Sequence, residues 1–442
     1  MFNRSQVERM LTRSLLSLFV AATAGLALPT DASARALYVS PAGNGTSGQN
    51  WKTAWKDPAQ IDWTLVHTGD QILIDGGTSG ITYTTAFSVP VSNIIIRQAP
   101  GDAHSGTVTF DGFSPQAALS CGIKFVGSNV HLVANKRAGI KLTRYGAQCM
   151  DIQSNNNSVR NVEMSYIMGF PPYAGGRIGG VTFGGVNNHF IACDFRDCGI
   201  AAMEKPMAGI TNSTVFNNCT FGANGYGFWG NCGSGIAGAG TAGGPASIIY
   251  AHKCVFGPYV DYGINIPNGK ARVTNSLFLA ARVSNIKAAP TTGCSSEVTA
   301  VNCTLYEKRL DPRQHGPFVV PEYTISVNAN AKLKLKDSIV WGGFVDVPAT
   351  QIITGGGNVQ YAVTGNTMAI APTMVDPNFV DNATLSAMQA QSQFVPRTLT
   401  SANFAPAAGS PAVGKGSSFV KVSDLVPPYG PTSGLPISIG GP

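Results

Sequence analysis

Two acidic residues, Glu163 and Asp194, occupy equivalent positions in two copies of a phrase that recurs seven times between Asn155 and Trp341. If the copies are strands stacked side by side, the two carboxylates stand about 5 Å apart. Like charges at that separation repel, so the pair requires a metal ion, a neighbouring cation or a raised pKa on one member. Calcium, which takes oxygen ligands, is the natural metal outside the cell, with Glu163 and Asp194 as its ligands. A slightly different register would leave two solvated surface acids and require none of these. The outward phase that carries Asp194 also carries Arg196, and Lys205, Lys253, Tyr259, Tyr262, Lys270 and Arg272 follow in the next coils. Such side chains can take a proton, return one or neutralise an anion. Lys253, Arg196, Lys205 and Tyr259 are therefore candidate catalytic residues.

The recurring phrase is what must position them. It reads Val159-Arg-Asn-Val-Glu-Met164, Phe190-Ile-Ala-Cys-Asp-Phe195, Phe216-Asn-Asn-Cys-Thr-Phe221, Ala251-His-Lys-Cys-Val-Phe256, Val273-Thr-Asn-Ser-Leu-Phe278, Ala300-Val-Asn-Cys-Thr-Leu305 and Leu335-Lys-Asp-Ser-Ile-Val340. The small central residue falls at Val162, Cys193, Cys219, Cys254, Ser276, Cys303 and Ser338, and that residue and the one two places on are apolar or small. A period of two is that of a strand. A repeat of this length, with no amphipathic helical run between copies, excludes βαβ units and predicts an all-β solenoid of parallel strands. Asparagines between the copies suit tight corners, because their side chains tolerate left-handed backbone.

Only 12% of the 442 residues are charged and 44% are hydrophobic, with 52 glycines, so the chain is neither disordered nor membrane-spanning. Its net charge of +7 suits an acidic partner, and the absence of a dense Lys/Arg patch with interleaved aromatics argues against nucleic acid. Met1 to Ala36 reads as an export signal, with Arg4, Arg9 and Arg13 before the apolar run Leu15 to Leu28, and it is too short for a stable membrane anchor. The mature protein is then secreted or periplasmic. Four of the nine cysteines share one phase of the repeat and read as a buried ladder, while Cys193/Cys198 and Cys219/Cys232 are candidates for local bridges.

"LYVSPAGNGTSGQNWKTAW", "GDQILIDGG" and "NIIIRQAPGDAHSGTVTFDG" in the first part of the chain, with "VDPNFVD" and "AAGSPAVGKG" near its end, resemble secreted right-handed parallel β-helix proteins of the pectate-lyase-like superfamily. The resemblance implies a β-helix from Leu37 to Met368 and a closing segment from Ala369 to Pro442. It also implies action on a polysaccharide, and the positive charge favours an acidic one, cleaved at uronate units by β-elimination. A non-catalytic carbohydrate-binding or surface protein, or a glycoside hydrolase of the same fold, is the alternative. The hydrolase motifs Asn-Thr-Asp, Asp-Asp and Gly-His-Gly are absent, although Arg282-Val-Ser-Asn-Ile-Lys287 resembles, with an insertion, an Arg-Ile-Lys substrate clamp. Two inserts, Met168 to Gly185 and Gly222 to Gly244, read as projecting loops. Arg177 and Trp229 within them, together with Tyr262, Lys270 and Arg272, are the expected substrate-binding residues.

Overall fold

The computed structural model describes residues 34–113, 119–165, 179–196, 198, 200–205, 207, 209–222, 234–237, 247–257, 262–279, 284–290, 292–306, 323–342, 344–346, 352–354, 359–361, 364–365, 373–374 and 407. The expected leader and most of the expected closing segment lie outside these residues. So do Arg177, Trp229 and Tyr259.

Each coil contributes one strand in turn to three parallel sheets. Among the described residues the first sheet has twelve strands, from Ala36–Val39 to Ile352–Thr354; the second has twelve, from Ile81–Tyr83 to Thr373–Met374; the third has eleven, from Phe87–Val89 to Thr364–Gly365. Among the described residues the only helical turns are Trp51–Thr53 and Pro58–Gln60. The architecture is a parallel β-helix, as the repeat predicts.

The recurring phrase is the corner between the first and second sheets. Its opening residues Val159, Phe190, Phe216, Ala251, Val273, Ala300 and Leu335 pair in one row of the first sheet. Its closing residues Met164, Phe195, Phe221, Phe256, Phe278, Leu305 and Val340 pair in one row of the second. Between them the chain turns on a residue with positive φ, near 60° at Asn161, 55° at Asn218 and 51° at Asn275 and Asn302. Asparagine accepts that conformation at small cost. Ala192 and Lys253 hold it at 51° and 52° without that tolerance.

Inside the corner, Phe195, Phe221, Phe256 and Phe278 form a column of stacked rings with centroid separations of 5.0, 4.8 and 4.6 Å. These match the rise of about 4.8 Å between neighbouring strands, so the aromatic faces meet without tilting the coils. Cys193, Cys219, Cys254 and Cys303 are buried beside them as the expected ladder. Each thiol donates to a carbonyl of the preceding coil: Cys193 to Val159, Cys219 to Phe190, Cys254 to Phe216 and Cys303 to Val273. Burial pushes the Cys303 thiol up to about 12. The candidate bridge between Cys193 and Cys198 is not formed, because the two sulfurs are turned to the Val159 and Met164 carbonyls, and Cys232 of the other candidate pair lies outside the described residues.

Both inserts need correction. Gly179–Gly184 and Ser234–Ala237 are third-sheet strands. Glycine-rich composition hid them, since a strand without side chains shows no hydrophobic period. In the first of them a Cβ on Gly180 would lie 2.6 Å from the Ala201 carbonyl oxygen, so the tight approach of the next coil requires glycine there.

On the outer face of the first sheet, His131, Ser158 and His189 stand in one row. Ser158 Oγ lies 2.6 Å from His131 Nδ1, and His189 Nε2 lies 2.7 Å from Asn187 Oδ1. Burial, with His131 as a second influence, holds His189 down to about 4 from an ordinary 6.5. Between those values the unfolded chain binds a proton that the folded chain refuses. The stability carried by neutral His189 is therefore complete above pH 6.5 and is lost as the pH falls toward 4. Urea titrations at about pH 7 and about pH 4 should show a loss on the order of 1–3 kcal/mol in the wild type that His189→Gln does not show; equal losses in the two proteins would contradict it. Phe221→Ala, which opens a gap in the ring column, should cost about 3–5 kcal/mol in the same measurement, and a cost under about 1 kcal/mol would mean that the column is not tightly packed.

Candidate functional site

The residues picked out from the sequence fall on different faces of the solenoid. Glu163, Asp194 and Arg196 come together on the second sheet, where Glu163 pairs with Asp194 across neighbouring strands, as the repeat alignment predicts. Tyr262 and Lys205 belong to the third sheet, Tyr262 in the strand Tyr262–Ile266 and Lys205 just after Ile200–Glu204. Lys270 and Arg272 are on the first sheet, in Gly269–Thr274. Lys253 is not on the face of Asp194. The row of Asp194 continues through Thr220 to Val255, and Lys253 is the corner residue two positions earlier.

Glu163 points outward yet is only 4% exposed, because cations cover it. Arg196 forms an ion pair with Glu163 Oε2, Lys141 Nζ stands 3.7 Å from the same oxygen, and Ser165 Oγ donates to Oε1 at 3.3 Å. Asp194 is gripped by Arg137, whose Nε reaches Oδ2 at 2.9 Å and whose terminal nitrogen reaches Oδ1 at 2.5 Å. That same nitrogen also donates to Thr220 Oγ1 at 2.7 Å. These bonds raise the Arg137 guanidinium above its usual value. Two strands before Glu163 on the same sheet, the buried Asp111 accepts from Nε of Arg144 at 2.9 Å and pairs with its terminal nitrogen, and the Arg144 guanidinium lies 4.9 Å from the centre of the Phe113 ring. Of the three ways to hold two adjacent carboxylates, the described residues show the cationic one. Sequence reasoning missed Arg137, which stands 57 residues before Asp194 and reaches it across the stack.

The third sheet differs. Its outer row runs Lys124, Asp151, Thr182, Met203, Ala237, Asn265, Lys287 and Ser326. Asp151 is satisfied by hydrogen bonds from Gln153 at 2.8 Å and Thr182 at 2.9 Å. Lys287 Nζ donates to the Tyr262 hydroxyl at 3.2 Å and stands 4.6 Å from the centre of its ring. No described carboxylate forms an ion pair with Lys124, Lys205 or Lys287.

Chain length singles out the same face. From Arg160 to Ile339 the corner between first and second sheets is one or two residues long, as with Asn161 alone between Ser158–Arg160 and Val162–Ser165. Connections entering third-sheet strands take thirteen residues at 166–178, eleven at 223–233 and sixteen at 307–322, and one leaving takes ten at 238–247. Length is spent on both edges of this sheet, where it can wall a binding surface without disturbing the stack. Arg177 and Trp229 fall in two of these segments and Tyr259 in the shorter connection 257–261, all three outside the described residues.

The chain matches no protein-family model. Clumping factor B of Staphylococcus aureus (strain NCTC 8325 / PS 47) is 30% identical over 110 residues, 25% of this chain, and the match spans only 11% of that protein's length. Among solved structures, pectate lyase Pel9A superposes with a TM-score of 0.58 at 17% identity, covering 88% of this chain and 94% of that one. A rhamnogalacturonan lyase gives a TM-score of 0.44 at 15% identity, over 78% and 90%. The fold is the pectate-lyase-like parallel β-helix.

Proposed function

We propose that this protein acts on an acidic polysaccharide as a lyase, cleaving beside uronate units by β-elimination on the outer face of the third sheet. The observation that carries the reading is the Lys287–Tyr262 pair, free of any described carboxylate, on the face whose two edges collect the long connections. Elimination needs a cation to neutralise the uronate carboxylate, a group to take the proton from the adjacent carbon, and a donor to the leaving oxygen. Lys287 supplies the cation. Tyr262, whose oxygen is 3.2 Å from Lys287 Nζ, acts as the base in its phenolate form: it takes the proton from the adjacent carbon as the carbon–carbon double bond forms and the glycosidic carbon–oxygen bond breaks, then passes that proton to the leaving oxygen and is itself regenerated. Asn265, one coil before Lys287 in the same row, supplies a neutral hydrogen bond to the sugar. Lys205 adds positive charge along the face.

The Glu163–Asp194 cluster has a structural role in this reading. Calcium does not fit there. Both Asp194 oxygens are taken by Arg137, and Glu163 is shared among Arg196, Lys141 and Ser165, so a cation needing six to eight oxygen ligands would have to displace two guanidinium groups. No step is assigned to a metal. With Arg137 40% and Asp194 23% exposed, a double-mutant cycle between Arg137→Ala and Asp194→Asn should give a coupling of only about 0.5–1 kcal/mol, weakened by salt. A coupling near zero would remove the pair from the account of the fold.

The function is tested by incubating the purified protein with a panel of uronate polymers and following the ultraviolet absorbance of the unsaturated product. Cleavage should persist in chelator, fall about 10²–10³-fold in Lys287→Ala and Tyr262→Phe, and survive Lys253→Ala and Arg196→Ala at temperatures where the folds hold. Retention on the polymers without a rise in absorbance would replace the lyase with a carbohydrate-binding protein. New reducing ends without absorbance would point to a hydrolase.

A further inference from the structure

The first sheet carries a second concentration of positive charge, on a different face from the Lys287–Tyr262 pair but in the same coils, since Gly269–Thr274 follows Tyr262–Ile266 and Ser296–Val301 follows Ser284–Ala288. In Ala331–Lys336 the side chains of Ala331, Leu333 and Leu335 are buried, while Lys332, Lys334 and Lys336 alternate with them on the outer face. Successive lysines on that strand are therefore about 6.6 Å apart. The neighbouring strands extend the array. Lys332 pairs with Glu297, which pairs with Lys270; Lys334 pairs with Thr299, which pairs with Arg272; Lys336 pairs with Val301, which pairs with Thr274.

Five cations thus share one flat patch three strands wide. The described carboxylates beside them are Glu297, whose Oε1 accepts from Lys334 at 2.7 Å, and Asp337 at the adjoining corner. Five positive against two negative leaves an excess of three on this patch, out of a net +7 for the chain. The hydrogen bond from Lys334 holds the Glu297 carboxylate below its usual range, so Glu297 counts as a full negative charge in that sum near neutral pH.

We propose that this face, spanning Gly269–Thr274, Ser296–Val301 and Ala331–Lys336, is an accessory surface that holds an acidic polysaccharide chain while the third sheet acts on another part of it. The proposal rests on the reading that the ligand is an acidic polysaccharide. A regular grid of point charges on a flat sheet suits a linear polymer with repeating carboxylates, which can be met by charge without a shaped pocket. A single-stranded nucleic acid would also stack its bases on exposed rings. The ring the structure places at the patch, Tyr250, is buried and has the Arg272 guanidinium 5.8 Å from its centre.

The test uses the full chain on immobilised polyuronate, eluted with a salt gradient, with turnover of a short oligouronide measured in parallel. The triple change Lys332→Glu, Lys334→Glu, Lys336→Glu should weaken retention about tenfold or more and leave oligouronide turnover and melting temperature unchanged; the corresponding change to glutamine guards against repulsion from Glu297, and the change to arginine should keep retention. Lys287→Ala should do the reverse, losing turnover and keeping retention. Undiminished retention of both the glutamate and glutamine variants, when the wild type is retained, overturns the accessory surface and leaves the lyase standing. Loss of retention in those variants, when no polymer is cleaved by the wild type, upholds the surface and removes the lyase. A wild type held by DNA but by no uronate polymer overturns both the surface's ligand and the substrate class.

Discussion

The rise of one coil, about 4.8 Å, governs nearly everything else in this molecule. Because parallel strands must keep that spacing, any residue type repeated in phase meets its own kind in the next coil. Aromatic rings gain from the encounter, and the column from Phe195 to Phe278 keeps centroid separations of 4.6 to 5.0 Å. Asparagines gain as well, Asn129 donating to Asn93 and Asn187 to Asn156 along one corner. Acids lose, and the Glu163–Asp194 contact survives only because Arg137, Arg196 and Lys141 are brought in.

Much of this could be read in the sequence. The phrase from Val159 onward contains the whole corner, with a first-sheet residue, a left-handed turn, a small buried residue and a second-sheet residue in six places. Aligning its copies therefore gave the strand register, including the pairing of Glu163 with Asp194. The third sheet was less legible. Its strands enter after connections of varied length, and two of them, Gly179–Gly184 and Ser234–Ala237, have the composition of loops. That sheet holds the Lys287–Tyr262 pair, whose members lie 25 residues apart and meet only once the coil is closed. Arg137 was out of reach for a related reason, since its partner is two coils further up the stack.

Charge on the surface is distributed according to what each face must do for itself. On the second sheet, acids and bases neutralise one another, and the carboxylates Glu163 and Asp111 are almost entirely covered. On the first and third sheets, lysines outnumber the acids near them. Satisfied ion pairs stiffen a surface, whereas unsatisfied cations leave it ready for an anion. An inventory of charged residues by sequence position mixes these two populations. The sheets sort them.

The one- or two-residue corner has a consequence for how such a protein can change over generations. Between Arg160 and Ile339 that corner leaves no room for an inserted residue without shifting the register of both adjoining sheets, so it acts as the ratchet that keeps the coils in step. The connections on either side of the third sheet have no such duty and already range up to sixteen residues. Variation is thereby channelled to one flank. A lineage built on this scaffold can trade one ligand for another by lengthening those connections, while the stack beneath is inherited unaltered.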